Sequence, residues 1–213
     1  MADIFEEVDE ELKQENFKKL WDRFGRYIVA AVVLIVAGVS AHQAWQHYTQ
    51  TQQQAYSERF LAAMKLSEEG KDTDAAAVLT VLAAEASDGY AMLARFREAA
   101  ARRAAGDEAT AIEIYDALAV DDANEPFYRE LAVLLSVMAQ ADTGDIAAMS
   151  ERLTPLAESG PWRHTANEYL GLFAIRQGDT AAARKRFQSV ADDLEAPQGA
   201  RARAAELLLT LDK

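Results

Sequence analysis

The sequence predicts an all-α protein: one long apolar helix near the N-terminus, followed by a solenoid of helical hairpins. Three observations carry this. Residues 27–57 contain no Asp, Glu, Lys or Arg. Glycines recur at Gly70, Gly106, Gly144 and Gly178, with separations of 36, 38 and 34 residues. Outside residues 27–57 the composition is that of helices, with abundant Ala and only 10 Gly and 4 Pro in 213 residues.

The apolar stretch comes first. Tyr27 to Trp45 is a run of 19 residues whose polar members are Ser40, His42 and Gln43, with Gly38 inside it. At about 1.5 Å rise per residue it extends about 28 Å, the thickness of a hydrocarbon core. A helix bonds every backbone N–H and C=O within itself, which a medium without water requires. The expectation is therefore a single transmembrane helix over 27–48. A buried core helix is one alternative. A cleaved secretory signal is another, since Val39-Ser40-Ala41 resembles a small-residue cleavage site. The acidic leader and the apolar run continuing to Trp45 argue against cleavage.

Orientation follows from charge. Lys13, Lys18, Lys19, Arg23 and Arg26 precede the span, and no Lys or Arg follows until Arg59. This excess predicts a cytoplasmic N-terminus and an outer C-terminal domain. Trp21, Phe24 and Tyr27 at one end and Trp45 and Tyr48 at the other suit interface anchors. Residues 1–26 form the cytoplasmic tail, acidic at Glu6-Glu7-Val8-Asp9-Glu10-Glu11. Phe17, Leu20, Trp21 and Phe24 fall on one helical face. That stripe fits a helix lying against the inner face of the bilayer, or a docking stripe for another membrane protein. Gln46, Gln50, Gln52, Gln53 and Gln54 extend the helix as an uncharged stalk, assigned to 49–57.

Residues 58–213 form the repeat domain. After Arg26 the chain carries 17 basic and 27 acidic residues. No basic patch offsets phosphate charge, so nucleic acid is not an expected partner. There are no cysteines, which excludes disulfides, thiolate catalysis and cysteine metal sites. His42, His47 and His164 are the three histidines, and neither their spacing nor a third ligand supports zinc. Phosphate loops, nucleophile elbows and His-Glu-x-x-His are absent, so neither an enzyme nor a cofactor is expected. Glu6-Glu7 and Asp192-Asp193 read as solvated helix ends. Arg184-Lys185-Arg186, with Arg201 and Arg203, is the one basic cluster of the outer domain. It reads as a face paired with nearby acids, or as a contact for an acidic partner or lipid headgroup.

Within the domain each glycine ends a helix where a left-handed backbone is needed, and an aspartate then caps the next. The segments are Gly70-Lys71-Asp72-Thr73, Gly106-Asp107, Gly144-Asp145 and Gly178-Asp179-Thr180. A period near 34 residues with two helices per unit is that of a helical solenoid. These residues resemble the tetratricopeptide repeat. The best unit is Tyr169-Leu170-Gly171, Gly178-Asp179, Ala183 and Phe187. Ala99, Gly106, Ala111 and Tyr115 follow the same pattern, as do Ala63, Gly70, Ala75 and Leu79. The Gly144 unit is worn, with Val137, Met149 and Leu153. Small residues stand where two helices cross closely, and the large one fills the gap to the next hairpin. Units run over approximately 55–87, 89–122, 125–158 and 161–195. A last helix, Ala200 to Leu211, covers the open end.

The full layout resembles the bacterial YfgM family: an acidic tail, a Lys-Lys-Leu-Trp juxtamembrane stretch, one span, a polar stalk and about four degenerate repeats. Members are ancillary subunits of the SecYEG translocon. The resemblance implies an inner-membrane protein facing the periplasm, with translocon subunits and a periplasmic chaperone such as PpiD as partners. It implies a part in chaperone handover of newly translocated chains. A structural subunit of another envelope or respiratory complex is the alternative.

First helices of such hairpins line the concave side. Here they supply Phe60, Met64, Leu93, Phe96, Leu131, Leu134, Met138 and Leu172. These residues fit a groove for apolar segments, with Phe60, Met64, Leu93, Phe96, Met138 and Leu172 as its candidate contacts. The same stripe also fits the packing of one hairpin on the next.

Overall fold

A computed structural model describes the backbone of residues 3–211 and the side chains of residues 18, 21–27, 29–87 and 89–211. The described residues form helices joined by turns: α1 (Asp3–Glu68), α2 (Asp72–Glu85), α3 (Asp88–Ala104), α4 (Glu108–Val120), α5 (Pro126–Ala139), α6 (Ile146–Glu158), α7 (Arg163–Arg176), α8 (Thr180–Ala191) and α9 (Gln198–Thr210). The chain divides into two compact units, 1–55 and 56–213, and α1 contributes to both.

In the first unit, α1 is long and apolar enough to cross a membrane, by length and composition. Its apolar side chains have no protein cover: Leu34 is 73 % exposed and Val39 63 %. Below them the Arg26 guanidinium lies over the Tyr27 ring at 4.8 Å and donates to its hydroxyl at 3.0 Å. Arg23 sits over Phe24, and Trp45 meets Tyr48 at the other end. Phe17 and Leu20 of the amphipathic stripe lie outside the described side chains.

In the second unit the last turns of α1 pack on α2 through Ala63 and through the Tyr56 hydroxyl on Glu85 O, while α3 packs on α4, α5 on α6, α7 on α8 and α8 on α9. The turn at Gly178 shows why glycine punctuates the chain. Its φ is 78°, a conformation in which a side chain meets the backbone. Gly178 N–H donates to Ile175 O and Asp179 N–H to Ala174 O, both at 2.9 Å, which closes α7. Equivalent bonds run from Lys71 to Leu66 and from Asp107 to Arg102. Asp179 then accepts from Ala182 N–H, Asp107 from Thr110 N–H and Asp145 from Ala147 N–H. Each satisfies a donor that the helix start leaves free.

Two turns depart from the expected pattern. In the first hairpin Lys71 occupies the cap position without a capping side-chain bond, and Asp72 is already inside α2. The inserted lysine delays the aspartate by one residue. Gly144 is not left-handed. It is glycine because a Cβ there would stand 2.9 Å from Gln140 O and 3.1 Å from Met149 Sδ. Met149 takes the place that Ala75, Ala111 and Ala183 hold elsewhere, and its longer side chain reaches back to the turn.

The small and large positions of each unit are all core. Ala63, Ala75 and Leu79 are at most 1 % exposed, and Ala99, Ala111 and Tyr115 at most 4 %. Val137, Met149 and Leu153, then Ala183 and Phe187, are equally buried. Gly171 is buried directly under Phe187: an added Cβ would lie 2.5 Å from its Cε1. Four apolar clusters result, one centred on each hairpin and each extending onto the helix that follows it.

Candidate partner-binding surface

The first-helix residues expected to line a groove pack on four different apolar clusters. Phe60 packs on the cluster of the first hairpin, Phe96 on the second, Met138 on the third and Leu172 on the fourth. Each of these four is half-buried. Leu134 is core, and Leu131 and Met64 are half-buried. Leu93 is 44 % exposed. A half-buried residue serves packing with one side and offers the other to a ligand. Singly changing Phe60, Phe96 and Met138 to Ser measures the division. A side chain that packs lowers the melting temperature by several degrees, since its burial contributes about 1.5–3 kcal/mol. One that serves a partner weakens capture of that partner and leaves melting unchanged.

Polar bridges tie the hairpins together about one repeat apart. Ser136 Oγ, fully buried, donates to Asp116 Oδ1 at 2.6 Å, and Arg152 Nη2 donates to the same oxygen at 2.6 Å. This joins α4, α5 and α6. Glu168, 9 % exposed, accepts from Arg203 Nε and Nη2, both at 2.9 Å, joining α7 to α9. The paired geometry compensates a buried carboxylate that would otherwise be costly. Arg176 caps the carbonyls of Ala141 and Asp142. Trp162 Nε1 donates to Phe127 O at 3.2 Å while their rings meet at 5.0 Å. Burial pushes the hydroxyls of Tyr115 and Tyr169 up from their ordinary value.

The basic cluster near the C-terminus is largely committed to these bridges. Arg203 is held by Glu168, Arg186 Nη1 donates to Asn167 Oδ1 at 2.9 Å, and Arg184 Nη2 donates to Leu211 O at 3.4 Å. His164 belongs to the same end of the domain. It is 8 % exposed, and its Nε2 lies 2.7 Å from Asp193 Oδ2. Arg163 Nη2 donates to Asp193 and to Glu195, so three bonds among four side chains staple the α8–α9 link to the start of α7. His42 and His47 instead bond Gln46 and Thr51, one turn along their own helix. Among the described residues no three His, Asp or Glu side chains converge as metal ligands.

The staple sets a pH dependence. The hydrogen bond to His164, the backbone N–H of Glu195 and the Arg163 guanidinium lower Asp193 from 3.8 to about 2. A carboxylate whose folded value is depressed contributes stability above its unfolded value and loses it as the pH falls through the folded one. Stability from Asp193 is therefore complete above about pH 4 and declines between about pH 4 and pH 2. Melting scans of the parent and Asp193→Asn across that range should converge at the acid end. Parallel curves would exclude the assignment.

Stacked antiparallel hairpins, small-to-large crossings and bridges spaced by one repeat define a helical-repeat scaffold of tetratricopeptide type. The chain belongs to the tetratricopeptide repeat-like domain family, whose profile matches residues 18–209 and so takes in the apolar segment together with the repeats. No curated protein and no solved structure matches it. Domains of this type are protein-interaction scaffolds.

Proposed function

We propose that this protein is a membrane-anchored protein-interaction module. In this reading its N-terminus lies in the cytoplasm and its repeat domain in the periplasm, at the bacterial inner membrane. There it acts as an ancillary translocon subunit that helps newly translocated chains meet chaperones. The observation that carries this reading is the continuity of α1. The helix that holds the uncharged apolar segment, preceded by five Lys/Arg, also supplies the last turns that open the first repeat hairpin. Such an anchor tethers the repeats to the membrane and raises their effective concentration where chains emerge. The translocon and a PpiD-like chaperone come from the family resemblance of the whole layout.

Co-purification in mild detergent tests it. Translocon subunits should be recovered with the protein. Recovery of one unrelated stoichiometric complex without them would instead make the protein a scaffold subunit of that complex. A reporter fused after Lys213 should be active only outside the cytoplasm, and protease added to intact spheroplasts should reach the repeat domain. A protected domain would reverse the orientation.

A further inference from the structure

Aromatic contacts fill two of the junctions between hairpins. Tyr56 and Tyr90, 34 positions apart, meet at 6.2 Å between the first and second hairpins. Phe127 and Trp162, 35 positions apart, meet at 5.0 Å between the third and fourth. Between the second and third hairpins no such contact occurs among the described residues. A cleft of ≈ 540 Å³ lies there instead, within the range of roughly 300–1,000 Å³ usual for ligand pockets.

The cleft is lined by the start of α3, the end of α4, the link to α5, the start of α5 and Ala83 of α2. Gly89 and Ala91 bring only small side chains to it, and Met92, buried Leu118 and Tyr128 bring its large apolar ones. The local sequence explains the opening. Glu125 and Pro126 stand about one repeat after Tyr90, where the adjoining junction places Trp162. The link before α5 is fixed along one side of the cleft, because Asn124 donates to Leu118 O and Asp121 accepts from Ala123 N–H. Arg95 reaches the cleft with no hydrogen bond or ion pair among the described residues, and Asp121 and Glu125 make the rim net acidic.

We propose that this cleft receives an aromatic side chain from an extended partner polypeptide, at a point where that polypeptide carries Lys or Arg beside the ring. The ring takes the place that a residue of the chain itself fills at the neighbouring junctions. Met92 and Tyr128 offer it sulfur and edge contacts, and Arg95 offers a cation at its face. The rim carboxylates and the acidic domain select basic flanks. This deepens the reading of the chain as a polypeptide-binding module and rests on it.

The test uses the full chain in detergent micelles and synthetic Gly/Ser peptides carrying one Phe between two Lys. Binding is read by calorimetry against the same peptide with Ala for Phe, and with Glu for Lys. The Phe/Lys peptide should bind at least about tenfold more tightly than either, a difference of 1.4 kcal/mol. Ala91→Trp, which fills the cleft, should abolish that preference with melting unchanged. If Ala91→Trp lowers the melting temperature, Arg95→Ala, at an exposed residue, serves in its place and should reduce binding similarly. Equal binding of the Phe and Ala peptides, or a preference that survives a stable blocking variant, overturns the proposal. A blocked variant that still recovers translocon subunits locates partner binding elsewhere and leaves the module reading standing. A parent chain that recovers no protein partner removes that reading itself.

Discussion

Gly171→Leu lowers the stability of the repeat domain by about 2 kcal/mol or more, the cost of forcing extra atoms into a packed crossing. The position admits nothing larger than glycine. Even a Cβ would stand 2.5 Å from Phe187 Cε1, 2.8 Å from Cζ and 2.9 Å from Cδ1. Phe187 cannot move aside, since it is fully buried and packed among Ala174, Ala183, Val190 and Ala200. In a domain of this length each kcal/mol shifts the melting temperature by about 2–4 °C, so the loss is about 4–8 °C. The coupling is also measurable. Gly171→Ala combined with Phe187→Leu should cost less than the sum of the single changes, because the smaller ring-free side chain makes the room that the methyl needs. A Gly171→Leu variant as stable as the parent would mean that α7 and α8 do not cross here as described.

Leu34→Asp together with Val36→Asp has the larger expected effect, on membrane integration. Each aspartate at the centre of a membrane helix is unfavourable by about 2.5–3.5 kcal/mol, and the lost Leu or Val side chain adds a few tenths. Both residues are more than half exposed, Leu34 at 73 % and Val36 at 59 %, so no contact within the chain compensates the charge. The parent chain should resist alkaline extraction from membranes, and the doubly substituted chain should be released. The repeat domain keeps its melting temperature, since residues 1–55 form a separate compact unit. A variant that remains in the membrane pellet would remove the basis for reading 27–48 as the anchor.

The sequence by itself determined the helical class, the repeat and its core. The reason is that these features are local. A left-handed glycine followed by an aspartate acts within one turn, as at Gly178-Asp179. The small–large pair Ala183 and Phe187 lies four residues apart on one helix face. An uncharged run needs no neighbour to be recognised. What only the tertiary structure decided is which side chains meet across hairpins. Asp116 with Arg152, Glu168 with Arg203 and His164 with Asp193 are separated by 36, 35 and 29 positions. The period places their helices side by side, but the bond depends on helix rotation of a fraction of a turn, which composition does not record. Gly144 is the same lesson at one residue: its glycine answers to the closeness of Gln140 O and Met149 Sδ, not to backbone handedness. The stripe from Phe60 to Leu172 reads equally as core or groove because a residue at a hairpin junction is both. The open junction at Met92 and Tyr128 shows only in three dimensions, against the aromatic contacts of its neighbours.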